Sequence, residues 1–586
     1  MKNYLLCAGI FLLVLVYGCK DDPLLTDDNE DFVPGGSDTT TDEVMTGNQE
    51  NHESADDYIW NEADVVNIKL SGTSATVDGA GATVTNSVVT IKEGKTYKVT
   101  GTLTDGQIIV DSGDDNIVRI ILAGVNITCS NSAVIYIKSA KKTIVVLAEN
   151  AENYITDGSN YVYAQGEDEP KATLYSASDL TLYGKGKLFL KGNYNDAISS
   201  KDGLILKDVD LTIEAVDDGV RGKDYLVVKN SSLDIEVAGD GLKSDNESNE
   251  SKGYIYIESG EFEITSGGDA IQAETDLVIS NGNFQITSGG GSSYGYNSSV
   301  SAKGLKAGNN LIVDYGNFDI NSADDAIHSN EYLTIDDGIF EISTGDDGIH
   351  ADSEIAINKG DINIVKSYEG IESAVIVLNG GNISIVSSDD GLNCAGGNDG
   401  SAMGRPGFGG YTASGNYYLY INDGYIAINA TGDGIDVNGS IEMTGGTVII
   451  HGPTSDRDGV LDYDKTFNIK NGGVLIGAGS AGMAQAPGTG SSQNSVALVL
   501  SSTYNAGTLI HFQKANGDEL VSFAPGKNYQ LVLFSSPELV KGNSYSVYSG
   551  GSHSGTALNG LYKNGTYIPG SLLADFSVSD VLTVVR

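Results

Sequence analysis

The sequence predicts an all-β chain. Its main body reads as a parallel β-helix of roughly 22-residue coils with three short strands per coil, and a small β domain follows at the C-terminus. Three observations predict this. The first is a phrase that returns at a nearly fixed step: Asp325-Ala326-Ile327, Asp347-Gly348-Ile349, Glu369-Gly370-Ile371 and Asp390-Gly391-Leu392, separated by 22, 22 and 21 residues. The second is the alternation within one step. Ile349 and Ala351 flank His350, Ile355 and Ile357 flank Ala356, and Ile362 and Ile364 flank Asn363. Each is the period-two pattern of a short strand with one buried face. Asp352-Ser353 and Asn358-Lys359-Gly360 supply turn chemistry between them, so one step has no room for a helix of ordinary length. The third is glycine, 76 of 586 residues, as an array with many corners requires.

In chain order, residues 1–18 read as a lipoprotein signal peptide. Lys2 precedes an apolar run from Tyr4 to Val16 that is too short to span a bilayer. Val16-Tyr17-Gly18-Cys19 resembles a lipobox, which makes Cys19 the expected lipidation site and the chain's one contact with a membrane. Lys20-Asp21-Asp22 resembles the acidic signal that directs some Gram-negative lipoproteins outward, so the expected location is the outer membrane, lipid-anchored and exposed at the cell surface. Residues 19–57, rich in Asp, Thr, Gly and Asn, are expected to form a disordered tether. Residues 58–482 carry the coils. Further copies of the phrase stand at Asp196, Asp218, Asp240, Asp269, Lys303, Asp433 and Asp458, and longer steps hold loops. A glycine corner recurs at Gly260, Gly282, Gly316, Gly338, Gly360, Gly380 and Gly424, where a left-handed residue would turn the chain. Residues 483–586 give short β-prone runs, expected to cover the open edge of the last coil.

Composition excludes some functions. A formal charge of −45 disfavours binding to nucleic acid phosphates. Cys7, Cys19, Cys129 and Cys394 form no disulfide framework, and Cys394 falls in a small-residue core slot. The stretch from Val474 to Gly482 matches a dinucleotide-binding GxGxxG pattern, but no helix or βαβ unit follows it.

Coils in register would stack Asp218, Asp240, Asp325, Asp347, Glu369 and Asp390 in a column, with Asp324, Asp346 and Asp389 beside it. Carboxylates about 5 Å apart repel by a few kcal/mol where water is partly excluded. Some are therefore protonated, or backbone N–H groups absorb the charge, or a cation sits among them. Ca²⁺ suits such a column because it is hard and takes several oxygens in irregular geometry. The alternative is that each Asp simply caps its turn. Lys303 interrupts the column, where its amine can replace a metal.

Beside the column runs an outward row that includes Arg221, Lys243, Lys306, His328, His350, Glu372, Asn393 and Asp436. Its basic members next to calcium would suit a sugar carboxylate, although each residue taken singly reads as an ordinary solvated face, and His328 and His350, one step apart, read as stacked surface polar residues rather than a metal pair. A second outward row is unusually apolar: Val227, Tyr256, Val278, Ile312, Thr334, Ala356, Ile376 and Tyr420. Tyr256 and Tyr420 could stack on sugar rings, or the row could lie under a loop or a neighbouring chain. Phe262, Phe284, Phe318 and Phe340 share an inward position and form a core stack.

The run from Gly94 to Val110, then Gly124-Val125-Asn126-Ile127-Thr128, and the repeated Asp-Asp-Gly-Ile-His-Ala phrase are similar to bacterial surface carbohydrate-binding proteins. The resemblance covers about residues 60 to 586, including the glycine-rich insertion near Arg405-Pro406-Gly407-Phe408. It implies a right-handed, calcium-containing parallel β-helix that binds cellulose and acidic sugars. The function expected is capture of polysaccharide, uronate-containing or of the plant cell wall, by a non-catalytic surface lipoprotein. Two other classes stay open. A polysaccharide lyase would need a base such as Lys303, Lys243 or Arg221 near calcium. An adhesin or structural stalk would use the apolar outward row for assembly.

Overall fold

The computed structural model describes residues 40–294, 300–395, 416–470 and 472–586. The chain is all-β apart from one α-helix, α1 (Thr41–Gly47), and two single 3₁₀ turns among these residues. Its strands join in one large sheet in which, over most of the length, each strand pairs in parallel with the strand three places further along. Three ladders result. The first carries the recurrent acidic phrase, as in Leu242–Ser244 on Ile271–Ala273. The second runs through Tyr254–Ile257 and Leu277–Ile279. The third runs through Gly260–Ser266 and Asn283–Ser288. Corresponding residues of successive steps face each other: Lys306 pairs with His328, and His328 with His350.

Alternation buries one residue in two, and the inward residues of all three ladders meet in one continuous core. Phe262, Phe284, Phe318 and Phe340 stack there with ring centroids 4.5, 4.6 and 4.6 Å apart and planes within 3°. That spacing is close to the distance between paired strands, so the ring stack and the backbone ladder share one register. Cys394 is buried in this core.

Two sequence expectations shift by one residue. Between Ala351 and Glu354 the register slips, and Ile355 pairs with Ile376 while Ala356 pairs with Val377. Ile376 is therefore a core residue, and Val377 takes its place in the outward row. The 21-residue step absorbs the slip. The left-handed corner expected at Gly380 falls at Gly381, with φ of 90°. Gly260 is not left-handed, while Gly338 and Gly360 are, with φ of 136° and 112°.

Antiparallel strands meet the ladders at both ends. Near the N-terminal end, Val66–Gly72 pairs antiparallel with Ser74–Asp78, and Ala82–Thr85 with Val88–Ile91. At the other end Val474–Gly479 pairs antiparallel with Tyr529–Ser535, which also pairs with Ser495–Tyr504. A separate six-stranded sheet packs with these strands around Phe512, Phe523 and Phe534. Antiparallel partners thus occupy the third ladder's edge at this end, while Asp462–Tyr463 and Thr466–Ile469 are the last strands of the first and second ladders.

The signal peptide, Cys19 and the acidic signal at Lys20-Asp21-Asp22 lie outside the described residues, as does the insertion around Arg405. Within the segment expected as a tether, residues 40–58 are ordered against the outer face of the second ladder. α1 has a complete capping box between Thr40 and Glu43. It sets Val44 and Met45 against Val278, Ile312 and Tyr256. Further on, Glu53 bonds Lys207, Lys229 and Tyr58, each at 2.7 Å. Asp57 pairs with Lys142 at 2.7 Å, both buried. This strap covers the apolar outward row at Val227, Val278 and Ile312. Burial of that row, which a purely polar tether would not provide, is what holds the strap in place.

Candidate functional site

The corner before each first-ladder strand brings the recurrent acids together through a repeated exchange. Asp347 Oδ1 accepts the backbone N–H of Glu369 at 3.1 Å, and the N–H of Gly348 donates to the Glu369 carbonyl at 3.0 Å. The same carboxylate-to-amide bond joins Asp218 to Asp240 (2.9 Å), Asp240 to Asp269 (2.8 Å), Asp325 to Asp347 (3.1 Å) and Asp390 to Asp433 (2.6 Å). Each Asp therefore caps the next step's turn, and part of its charge goes to a backbone dipole. The glycine of the phrase is dictated by closeness: a Cβ on Gly348 would lie 2.5 Å from the Gly370 carbonyl oxygen and 2.7 Å from Ile364. At Glu369 the pattern changes, because the longer carboxylate takes an Asn393 amide bond at 2.5 Å instead.

The remaining charge is balanced differently along the column. Around Asp218 and Asp240 a lysine does it: Lys243 Nζ lies 2.6 Å from Asp240 and 3.3 Å from Asp218. Burial still raises both carboxyls above their ordinary range. Lys306 lies 3.2 Å from Asp269, and Arg221 is committed to Asp245 at 2.6 Å. Lys303 Nζ sits between Asp324 (2.8 Å) and Asp325 (2.6 Å). His328 adds a contact to Asp325 at 2.8 Å. Although burial opposes it, the Lys303 charge and the His328 hydrogen bond hold the Asp325 carboxyl well below the usual range. Asp346 is pushed up to about 8 by burial and by the charges of Asp347, Asp325 and Asp324.

Beyond Asp347 the lysines stop. His350 Nδ1 lies 3.2 Å from Asp347 and 3.1 Å from Glu372. Glu369 is raised well above its ordinary value by burial and by its acidic neighbours. Further along, carboxylate oxygens of Asp390, Asp433 and Asp436 lie within 4.8 Å of one another. No lysine, arginine or histidine pairs with any of the three among the described residues. Burial and repulsion from the surrounding acids, Asp389 and Asp462 included, push Asp390 up to about 9 and Asp433 and Asp436 to about 7. Asp389 lies beside the Tyr368 hydroxyl, whose proton it helps retain.

Three residues of these groups, Glu372, Asp433 and Asp436, were not in the expected ligand set. The signal for two of them is in the sequence: Glu372 and Asp436 stand three residues after a column acid, the same spacing that joins Asp347 to His350. The expected sugar-facing residues are not an open row. Arg221, Lys243, Lys306, His328 and His350 are paired to acids within the fold. Tyr256 lies under the strap, and Tyr420 is buried beside Val375 and Val377 with its ring 5.7 Å from that of Tyr418.

An open concavity lies along the outer face of the third ladder. It is a shallow groove of about 470 Å³ lined by Asp234, Glu261, Glu263, Gln285, Asp319 and Glu341, among others. Along its floor edge Asn283 donates to Glu261 at 2.7 Å and Asn317 to Asn283 at 2.6 Å. This is a row of carboxylates and amides pre-aligned at strand spacing.

Residues 85–348 match a family model described as carbohydrate-binding domain-containing protein. A carbohydrate-binding domain-containing protein of Acetivibrio thermocellus is 38% identical over 136 residues, 23% of this chain and 48% of that protein, so the match spans about half the relative's length. Among solved structures, the polysaccharide lyase-like protein from C. thermocellum, in a gadolinium derivative, is 28% identical. It covers 46% of this chain and 96% of its own, with a TM-score of 0.38. Over residues 85–348 the chain is thus similar to the carbohydrate-binding domain family.

Proposed function

We propose that this protein is a non-catalytic, cell-surface lipoprotein that captures polysaccharide, built as a right-handed parallel β-helix and stiffened by calcium. The observation that carries the binding reading is positional. Every residue named above as lining the third-ladder groove falls inside the segment 85–348 that is similar to carbohydrate-binding domains. Aligned carboxylates and amides suit the hydroxyls of a neutral plant cell-wall chain lying along the ladder. A uronate chain would be repelled there unless calcium bridged it.

Calcium fits the Asp390–Asp433–Asp436 group best, because its donors are all oxygen and no protein cation competes. Bound there, the ion would neutralise three crowded carboxylates and tie successive steps together. The anchor at Cys19 rests on the sequence around it, and mass spectrometry of the mature N-terminus would test it.

The lyase reading is weaker on chemical grounds. Lys303, Lys243 and Arg221 all face carboxylates that outweigh burial and raise their proton affinity, so none offers a free base at neutral pH. A stalk assembling through the apolar row is disfavoured where the strap already covers it. The deciding experiment is a glycan array read in calcium and then in EDTA, with absorbance of unsaturated product followed in parallel. Retention of cell-wall glycan without product supports the proposal. Retention of no glycan, or release of unsaturated sugar, contradicts it.

A further inference from the structure

The group at Asp347, His350 and Glu372 differs in kind from the oxygen-only cluster. Its three ligand atoms lie within 4.8 Å of one another and all three residues are buried. His350 and Glu372 are direct partners on adjacent strands, and Asp347 is three residues before His350, so the first ladder itself fixes the triangle. The Glu372 side chain is 0% exposed; its Oε2 lies 3.1 Å from His350 Nδ1, and no well-aligned hydrogen bond reaches either carboxylate oxygen. A buried carboxylate in that state is unfavourable unless something positive or hydrogen-bonding meets it fully. The imidazole cannot serve all its neighbours as an acid. A single Nδ1 proton would be shared between Asp347 and Glu372, at 3.2 and 3.1 Å.

The other face of the ring argues the same way. His350 Nε2 lies 3.3 Å from Asp352 Oδ1. With a metal bound, a proton held on Nε2 by that carboxylate would leave the Nδ1 lone pair for the ion, between Asp347 and Glu372. This is the carboxylate–histidine arrangement that orients metal-bound imidazoles. The adjacent His328 ring stacks on His350 at 4.8 Å and has its own partners, Asp325 and Asn330, so it limits the ring's freedom to swing away.

We infer that Asp347, His350 and Glu372 form a binding site for a divalent transition cation of the zinc class, separate from the calcium cluster. One nitrogen and two carboxylate donors match the donor sets of Zn²⁺ and its neighbours and are a poor set for Ca²⁺, which takes oxygen alone. The ion would replace the proton between the three groups and give the buried Glu372 carboxylate a full positive partner.

The test uses the full chain, stripped with chelator and re-equilibrated with excess Ca²⁺ and limiting Zn²⁺, then desalted for elemental analysis. The expected result is one zinc retained per chain in the presence of calcium. Retention should weaken at least tenfold in both His350→Gln and Glu372→Gln and stay unchanged in Glu214→Gln, an exposed carboxylate of the third ladder. Co²⁺ loaded in place of zinc should give visible bands of a low-coordinate nitrogen–oxygen site, a readout on the unmutated protein that no folding defect can mimic. Zinc at background level, retention unchanged in both site variants, or a cobalt spectrum like that of the hydrated ion would each overturn the assignment.

Discussion

The Lys303 ammonium lies 2.6 Å from the Asp325 carboxylate, at the one position of the column where the recurrent acid is replaced by a base. Asp324 flanks the same ammonium at 2.8 Å, and Asp346 completes a group of three acids whose oxygens lie within 4.8 Å. The amine thus stands where a cation would otherwise be needed. Removing one member of a buried pair costs about 3–5 kcal/mol because the other charge is left uncompensated. Lys303→Ala should therefore lose about that much stability in EDTA and recover a large part in millimolar Ca²⁺. Thermal unfolding of the variant in both buffers checks this. Equal losses in the two buffers would mean that the three acids do not form a cation site.

The phenylalanine stack gives a second expectation. Phe284 and Phe318 are each 3% exposed and stacked nearly parallel to their neighbours on both sides. Truncation of such a residue costs about 3–5 kcal/mol through lost burial and an unfilled cavity. Phe284→Ala should lower chemical-denaturation stability by that amount, and Phe284→Leu by clearly less. Near-neutral behaviour of the alanine variant would contradict a close-packed interior at this position.

Docking of the strap should depend on pH through His52. Its Nδ1 and Nε2 contact the Tyr225 hydroxyl at 2.7 Å and Thr181 at 2.8 Å, with Lys142, Asp57, Glu53 and Asp179 around it. Burial, and then the Lys142 charge, lower its pKa to about 4. The docked ring is neutral, so its contribution is complete above about pH 6.5. It falls as the undocked state takes up a proton between 6.5 and 4, by about 3 kcal/mol at pH 4. Glu53, lowered to about 2 by Lys207 and Lys229 against the effect of burial, acts in the opposite group of cases. Its contribution is present above its unfolded value near 4.5 and is lost only as pH falls toward 2. Hydrogen exchange of residues 48–57 should accelerate between pH 6.5 and 4 after correction for intrinsic rates, and His52→Gln should flatten that profile. A wild-type profile already flat would refute the assignment.

For the groove, charge reversal is the informative change. Glu263 and Asp319 line it on the third ladder, pointing away from the core. Glu263→Lys with Asp319→Lys should leave unfolding within about 1 kcal/mol of wild type, since exposed substitutions cost little. Glycan retention should drop at least fivefold. Unchanged retention would move the carbohydrate site off this face.

Much of the fold was legible because the repeat is strict. Period-two alternation and a step near 22 residues identify the strands, and their in-register pairing follows from burying one face. Ile376 was misplaced because a step shortened by one residue flips a strand by one face, and only the pairing with Ile355 shows where the slip is absorbed. The strap was missed because its composition is that of a solvated tether. Val44 and Met45 are too few to mark a helix on their own, and its anchors at Lys142, Lys207 and Tyr225 are distant in sequence. The acidic column could be read from the sequence, but its sharing among lysines, histidines and backbone amides could not. That sharing depends on side-chain reach: Lys243 folds back onto Asp240, whereas Asp436, at the matching position, can only add negative charge.

Calcium titration of the chelated protein by calorimetry, beside the Asp433→Asn variant, bears most directly on the idea that stacked acids recruit a counter-ion. The account predicts saturable Ca²⁺ binding with a rise in unfolding temperature for the wild type. It predicts binding weakened at least tenfold in Asp433→Asn, with the ladder's circular dichroism unchanged. A wild-type protein that binds no calcium at millimolar concentration, and unfolds at the same temperature with and without it, would contradict the account.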